Sequence, residues 1–232
     1  MTPERVIEAA MRLTAQQGLY RWGIRQLAAE LDVWPTVIYH HVGDRDTVMD
    51  AVVDRVVSQM PCPSVDVPWR DWFGELLRGG RRTLQGYPGV ARRLTLQGPT
   101  VPSALAIIDN GVQVLQKAGF GAQAAPMYSM LLNGAFLLVA LDDDHDEAPE
   151  THQRAAEVLG AFSDDHDRPG LAAMGSYVNA SKVSAEAVHG FNNDFYDYVI
   201  DCLLDAAEAR LALISGKGRS ADSSATGFNE KG

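Results

Sequence analysis

The chain has 232 residues, of which 46% are hydrophobic and 22% are charged, and its formal net charge is −10. This length suffices for one large or two small domains, and the ordinary composition excludes a chain that is disordered throughout. The acidic balance argues against a protein that coats nucleic acid nonspecifically. Cys62 and Cys202 stand alone, without a CxxC pair or an even disulfide framework, which favours a reducing cytoplasm.

The first predicted helix begins with a hydroxyl cap and a proline. Thr2 precedes Pro3, and an acid follows in the first turn, which is typical of a helix N-terminus. An apolar stripe then recurs at helical spacing (Val6, Ala9, Ala10 and Leu13), and Gly18 predicts the stop.

Residues 23–45 predict a helix, a tight turn, a second helix and the entry to a further helix. The first of these carries an inward apolar stripe (Ile24, Leu27, Ala28 and Leu31), and the turn is Asp32-Val33-Trp34. Pro35 begins the second helix, in which Ile38, His41 and Val42 are spaced to pack inward. Its outer flank, with Thr36, Val37, Tyr39 and His40, is the side that a helix-turn-helix presents to base edges in the major groove.

These residues resemble the N-terminal domain of the tetracycline-repressor (TetR) family. The resemblance lies in Arg25-x-Leu27-Ala28, in Val33-x-Pro35-x-x-Ile38-Tyr39-x-His41-Val42, and in Arg45. It implies an all-helical homodimer that represses transcription and releases DNA when a small molecule binds the larger C-terminal domain. It also implies phosphate contacts from Tyr39 and Arg45, and base or backbone contacts from Arg25, Thr36, Val37 and His40. Gln26 and Trp34 complete the predicted DNA-binding set.

Two residues depart from the family pattern, and the charge of the head is unfavourable. Gly23 stands where Thr is common, and Trp34 replaces a small polar residue. Trp34 has two interpretations: it stacks against sugar or phosphate, or it packs on the turn. Residues 1–60 hold six arginines against eight acidic residues, so the predicted affinity depends on few phosphate contacts and on a dimer that doubles them.

Further helices are predicted along the body. Asp44 caps a fourth helix, and the prolines at 61, 63 and 68 mark the boundary between head and body. Helices then begin near Trp69, near Pro88 and at Pro102. The helix from Pro88 ends at about Gln97, and the helix from Pro102 ends at about Ala118. The predicted domains are a DNA-binding domain at 1–60, a ligand-binding and dimerisation domain at 61–214, and a disordered tail at 215–232 that is rich in Gly and Ser.

Two late helices are predicted to form the dimer interface. Residues 122–141 are apolar almost all round, so we expect this helix to be buried on every side. Residues 190–213 carry aromatic and small residues on one face and a stripe of acids on another, which is typical of a solvated face. Together the two helices are expected to supply half of an intermolecular four-helix bundle.

No catalytic, metal or cofactor site is predicted. The acidic runs 142–147 and 163–167 mix carboxylates with His145 and His166, but nearby prolines and consecutive spacing favour solvated loops. A metal-dependent helical enzyme using His145, His152 and His166 is one alternative, and a TetR-like scaffold that no longer binds DNA is another. The cluster Gly79-Gly80-Arg81-Arg82 lacks the Lys-Ser/Thr and the preceding strand of a phosphate loop.

The sequence therefore predicts a cytoplasmic, ligand-responsive transcriptional regulator that binds an operator in duplex DNA. No membrane contact is expected, because no run approaches about 18 apolar residues. The effector pocket is expected to be apolar with few polar anchors. Its predicted residues are Trp72, Tyr87, Met130, Asn133 and Phe136, with Asn133 preferred because a buried amide needs a partner.

Overall fold

The computed structural model describes residues 1–147, 149–180 and 185–225. Within these ranges the protein is all-α, as predicted, and no strand occurs. Four short helices form the head: α1 (Pro3–Gln17), α2 (Ile24–Glu30), α3 (Pro35–His41) and α4 (Arg45–Val57). The body contains α5 (Trp69–Gln85), α6 (Val90–Gln97), α7 (Pro102–Ala118), α8 (Ala124–Glu147), α9 (Pro149–Gly160), α10 (Pro169–Ala180) and α11 (Ala185–Ala225).

The head folds around the stripe predicted for α1. The Thr2 hydroxyl accepts a hydrogen bond from the backbone N–H of Arg5, and Gly18 ends the helix at a φ of 91°. Val6, Ala9 and Ala10 are completely buried. The indole N–H of Trp22 donates to the hydroxyl of Thr14 at 2.9 Å, so the buried polar groups beneath α1 satisfy each other.

Glycines allow α5 to pack closely against the preceding loop. A Cβ at Gly80 would lie 2.6 Å from the Met60 Cε atom, and a Cβ at Gly79 would overlap Pro61. Because neither glycine has a side chain, residues 60–61 can lie directly on this part of α5. Arg81, which follows the two glycines, is buried and pairs with Asp142 of α8 at 3.0 Å.

The body is arranged around α8, which contacts α5, α6, α7 and α11. Leu131 and Ala135 of α8 are fully buried, but Leu137 and Leu141 are about half exposed. The single chain therefore buries one face of this helix and leaves another exposed, and the expectation that a second subunit covers the exposed face stays a prediction. Gly111 of α7 also faces α8, where a Cβ would lie 2.6 Å from the Tyr128 ring and 3.1 Å from that of Trp72.

Three segments differ from the sequence prediction. The acidic run 142–147 continues α8 and is not a loop, because Asp142 accepts from Arg81 and Asp143 accepts from the N–H of Gly89. Helices α9 and α10 were not predicted; they begin at Pro149 and Pro169, and proline is favoured at a first helical position. Helix α11 continues to Ala225, since no proline interrupts it, and the rest of the predicted tail lies outside the described residues.

One helical stretch, Gly121–Asp143, is long and apolar enough to cross a membrane by length and composition alone. The sequence prediction that no run approaches this length is therefore wrong. Half of its most apolar window is buried within the chain, which is also typical of a core helix.

Candidate DNA-binding head and effector cavity

Helix α3 has one anchored flank and one exposed flank. Ile38 is completely buried, whereas Thr36, Tyr39 and His40 are exposed. Val37 is half-buried at the edge between the two flanks. His41, predicted to be a core residue, is also half-buried, and its ring meets His40 edge to face at 5.4 Å. A single buried isoleucine thus fixes which side of the helix faces outward.

The turn between α2 and α3 is closed by Asp32, which adopts a φ of 52°. Asp tolerates this left-handed conformation better than most residues because its short polar side chain can hydrogen-bond locally. The N–H of Val33 then bonds to the Ala28 carbonyl at 3.0 Å. Because Leu27 and Ala28 are buried, Arg25 and Gln26 are left exposed on the outer side of α2.

Arg45 has an internal role that the sequence did not indicate. Its Nε atom donates to the carbonyl of Trp22, and its Nη2 atom donates to the carbonyl of Tyr20, both at 2.9 Å. The guanidinium also lies 5.6 Å from the centre of the Trp22 ring. Arg45 therefore fastens the start of α4 to the loop before α2, and two of its donors are already used.

Asp44 supplies the N-terminal cap of α4. Its carboxylate accepts from the backbone N–H of Thr47 at 2.9 Å and from the Thr47 hydroxyl at 2.7 Å. These hydrogen bonds, the backbone one first, hold the pKa of Asp44 below its usual value. Asp44 thus fixes the beginning of the helix that leads from the head to the body.

The body contains a cavity of about 360 Å³ between α6, α7 and α8. Apolar side chains dominate its wall, and the polar groups are Thr95, Tyr128, Ser129 and Asn133. Among the described residues, no charged side chain lines it. Burial raises the pKa of Tyr128, so its hydroxyl stays protonated and can donate a hydrogen bond. The remaining lining residues are Val57, Met60, Leu94, Gly98, Pro99, Ala104, Ile107, Ile108, Val112, Ala125, Leu132 and Phe136.

Two of the five residues predicted for the effector pocket line this cavity, namely Asn133 and Phe136. Trp72 does not, because it is completely buried and its indole N–H donates to the Pro63 carbonyl at 2.9 Å. Tyr87 and Met130 do not line it either. Asn133 is exposed, so the buried amide on which its prediction rested does not occur; it lies at the cavity mouth.

Comparison with known proteins matches the chain to bacterial regulators. An HTH-type transcriptional regulator of Saccharopolyspora erythraea is 30% identical over 122 residues, which is 52% of each chain. The class A tetracycline repressor from transposon 1721 of Escherichia coli is 28% identical over 125 residues, covering 53% of this chain and 57% of the repressor. The chain thus spans about half the length of the curated relatives it matches. No protein-family model matches the chain.

The solved structures extend the likeness to nearly the whole chain. Apo ActR from Streptomyces coelicolor superposes with a TM-score of 0.73 at 18% identity, covering 91% of this chain and 97% of ActR. ActR, a TetR family protein, has also been solved with actinorhodin, and that structure gives a TM-score of 0.68 at 21% identity over 89% and 96% of the two chains. The chain has the fold of the TetR family. The resemblance predicted from the head residues is confirmed.

In this TetR fold, two carboxylates of α4 connect the head to the cavity. Asp50 accepts two hydrogen bonds from the buried guanidinium of Arg93 on α6, at 2.6 and 3.0 Å. Asp54 accepts from the N–H of Ser103 at 2.8 Å, at the start of α7. Leu94 and Ala104, the next residues along each helix, line the cavity. Residues of the cavity wall are therefore direct chain neighbours of residues that are hydrogen-bonded to α4.

A second groove of the TetR-fold body lies between α5 and α11 and measures about 400 Å³. Its walls are strongly charged, but the charges largely pair with one another: Arg70 contacts Asp205 and Glu208, and Arg78 contacts Asp197 and Asp201. The acidic stripe of α11 is thus exposed, as predicted, but it is ion-paired and not merely solvated. We take the apolar cavity, and not this groove, as the candidate effector site.

The metal alternative invokes three histidines, of which only His166 has its side chain in the described part of this TetR fold. Within that part, no three His, Cys, Asp or Glu side chains gather in a way that could hold a metal ion. His166 is exposed in the turn between α9 and α10, and nearby Asp165 pairs with Arg168. The side chains of His145 and His152 lie outside the described residues.

Proposed function

We propose that the chain is a ligand-responsive transcriptional repressor that binds operator DNA as a cytoplasmic homodimer. Residues 1–60 would form the DNA-binding domain, and residues 61–214 the ligand-binding and dimerisation domain. The observation that carries this proposal is the anchored register of α3, which keeps Thr36, Tyr39 and His40 exposed while Ile38 is buried. A helix held in this way can enter a major groove.

The charge distribution of the head fits contacts to few phosphates. Arg55 pairs with Glu4, and Arg12 lies 3.5 Å from Glu30, so these arginines are engaged away from α3. Arg25 makes no ion pair within the described residues and is exposed beside α3. With Arg45 engaged internally, phosphate binding would rest on Arg25 and the Tyr39 hydroxyl in each subunit. Two subunits are then needed for useful affinity.

The proposed dimer surface is the apolar face shared by α8 and α11. Leu137 and Leu141 of α8 are exposed, and so are Phe195 and Tyr198 of α11. Exposed apolar groups in a contiguous patch mark interaction sites on soluble proteins. Pairing this face with its copy would remove these side chains from water and place two α3 helices on one operator, about 34 to 36 Å apart.

The cavity favours an uncharged, largely apolar effector. A charged ligand would lose its hydration without gaining a counter-charge, because the lining is neutral. The hydroxyls of Thr95, Tyr128 and Ser129 and the amide of Asn133 can orient a few polar groups. The relative ActR has been solved with actinorhodin, which gives a precedent for small-molecule binding in this fold. Ligand binding would shift Arg93 and Ser103, and through them α4.

The decisive experiment is an electrophoretic shift with the DNA beside the protein's own gene. We expect a sequence-specific shift that weakens steeply with salt and that is lost in Tyr39→Ala. Tyr39→Phe, which removes only the hydroxyl, should bind more weakly than the unaltered protein but more tightly than Tyr39→Ala.

Tyr20→Phe is the matched control, because Tyr20 packs beside Gly89 on the body side of the head. It should bind DNA like the unaltered protein. A shift that is insensitive to salt, or one that Tyr39→Ala leaves intact, would contradict the proposed interface. A folded protein that shifts no DNA even at low salt would favour the scaffold alternative.

A further inference from the structure

The four tryptophans of the chain have very different surroundings. Trp22 and Trp72 are buried and donate their indole N–H groups to Thr14 and Pro63. Trp69 meets Phe120 edge to face at 5.5 Å. Trp34 is 80% exposed, and its side chain makes no hydrogen bond, ring contact or cation-π contact within the described part of the chain. The exposed Trp34 ring therefore offers a large apolar surface and one N–H donor to a partner outside the chain.

The backbone holds Trp34 at the tip of α3. Trp34 is the N-cap residue, with extended φ and ψ of −74° and 143°, and its carbonyl accepts from the N–H of Val37 at 2.9 Å. Pro35 follows at the first helical position, and its ring fixes the direction in which α3 begins. The Trp34 side chain takes no part in capping the helix. Its position is therefore set by the backbone, while its ring is free to make a contact.

The tip of α3 lacks the charged and amide side chains that usually read guanine, adenine and cytosine. Guanine is read by Arg or Lys, adenine by Asn or Gln, and cytosine by Asp or Glu. Residues 35–41 contain none of these types. The residues present at the tip are Trp34, Pro35, Thr36 and Val37, which offer mainly apolar surface. In the major groove the apolar group on a base edge is the C5-methyl group of thymine.

We propose that Trp34 is a specificity-determining residue that packs its indole ring against thymine C5-methyl groups in each operator half-site. This inference rests on the proposed function. It differs from the two interpretations drawn from the sequence: the exposed ring does not pack on the turn, and the inference assigns the apolar face of the ring to a methyl group and not to sugar or phosphate. The preferred operator would then contain thymines opposite the N-terminus of α3.

The test compares thymine with uracil, which lacks only the methyl group. A duplex is first selected from a random library by the unaltered protein, and each thymine in it is then replaced singly by uracil. At the contacted position we expect the Kd of the unaltered protein to rise about fourfold per half-site and about 15-fold when both half-sites are changed. Uracil at other positions should leave the Kd unchanged.

Variants of Trp34 then test whether its side chain causes the preference for thymine over uracil. Trp34→Ala should bind the thymine duplex at least tenfold more weakly and should no longer distinguish thymine from uracil. Trp34→Phe, which retains an apolar ring, should keep part of the discrimination. Leu96→Ala removes a side chain of α6 that is also highly exposed, and it should behave like the unaltered protein. Thermal unfolding of each variant checks that the fold is retained.

Two outcomes would overturn the inference while leaving the proposed function intact. One is Trp34→Ala binding as tightly as the unaltered protein. The other is Trp34→Ala losing affinity but keeping the full preference for thymine over uracil, which would assign the ring to sugar or phosphate. If the unaltered protein selects no duplex at all, the proposed function itself fails, and the thymine contact fails with it.

Discussion

The outer flank of α3 and the cavity of the body are both formed by largely uncharged side chains, but they arise in different ways. The flank belongs to one seven-residue helix, and its register is fixed by one buried residue, Ile38. The cavity wall draws on α4, α6, α7, α8 and the connecting loops. The exposed flank of α3 therefore depends on the local geometry of one helix, whereas the cavity depends on how segments that are distant in the sequence pack together.

Among the substitutions that test this comparison, Ile38→Ala should have the largest effect on stability and DNA binding. Removing this fully buried side chain should lower the free energy of unfolding by about 3 kcal/mol and abolish DNA binding, because α3 loses its anchor. Val37→Ala, at the neighbouring half-buried position, should cost far less stability while still weakening DNA binding. Urea unfolding and the shift experiment measure the two effects; equal losses of stability in both variants would contradict the anchoring role.

The link between the regions is tested by Asp50→Asn. Arg93 would keep a buried charge with a weaker partner, so we expect a loss of about 2 kcal/mol in stability. DNA affinity should also respond less to a cavity ligand found by thermal-shift screening of neutral apolar compounds. Asp46→Asn is the control, because Asp46 lies farther from Arg93, at 3.7 Å. An unchanged ligand response in Asp50→Asn would show that α6 does not act through this pair.

The loop at the cavity edge is tested by Gly98→Ala. Gly98 adopts a φ of 82°, which disfavours any residue with a Cβ, although nothing lies within 4 Å of that position. We expect a loss of about 1 kcal/mol in stability from backbone strain alone. Gly170→Ala, within α10 and equally unobstructed, should instead be neutral or stabilising. Comparing the melting temperatures of the two variants separates the backbone strain at Gly98 from the effect of adding a methyl group to an open position.

The smallest effect concerns the pH dependence of the head. The pKa of Asp44 is lowered in the folded protein by the hydrogen bonds from Thr47. Its stabilising contribution is therefore complete above the unfolded value of about 3.9 and is lost as the pH falls through the lower folded value. The difference in melting temperature between the unaltered protein and Asp44→Ala should stay constant from pH 7 to 5 and shrink below pH 4. A difference that persists undiminished at pH 2 would contradict this assignment.

The same contrast explains what could be predicted from the sequence. The buried stripe of α1, the outward residues of α2 and α3, and the start of α7 at Pro102 follow from helical periodicity and capping. Those signals are local, so they survive without knowledge of the tertiary fold. The same proline signal at Pro149 and Pro169 was interpreted as marking loops, because the acidic residues nearby suggested solvated segments.

The residues that were missed depend on tertiary contacts. Trp72 was predicted to touch a ligand, but it packs against α7 because Gly111 leaves room for its ring. Arg45 resembles a phosphate ligand by its position, but only the fold reveals the carbonyls of Tyr20 and Trp22 beside it. Ser129 and Leu132 lie four residues before Asn133 and Phe136, respectively, on α8, so helical spacing offers a signal for them.

Gly111 offers a route by which the chemistry sensed by such a protein can change during evolution. It does not line the cavity, yet any side chain there would displace the ring of Tyr128, which does. A single base change in this codon would thus alter the shape of the cavity through a residue that does not line it. Under the proposed function, descendants could acquire a new effector while the residues that touch it, and the outer flank of α3, stayed unchanged.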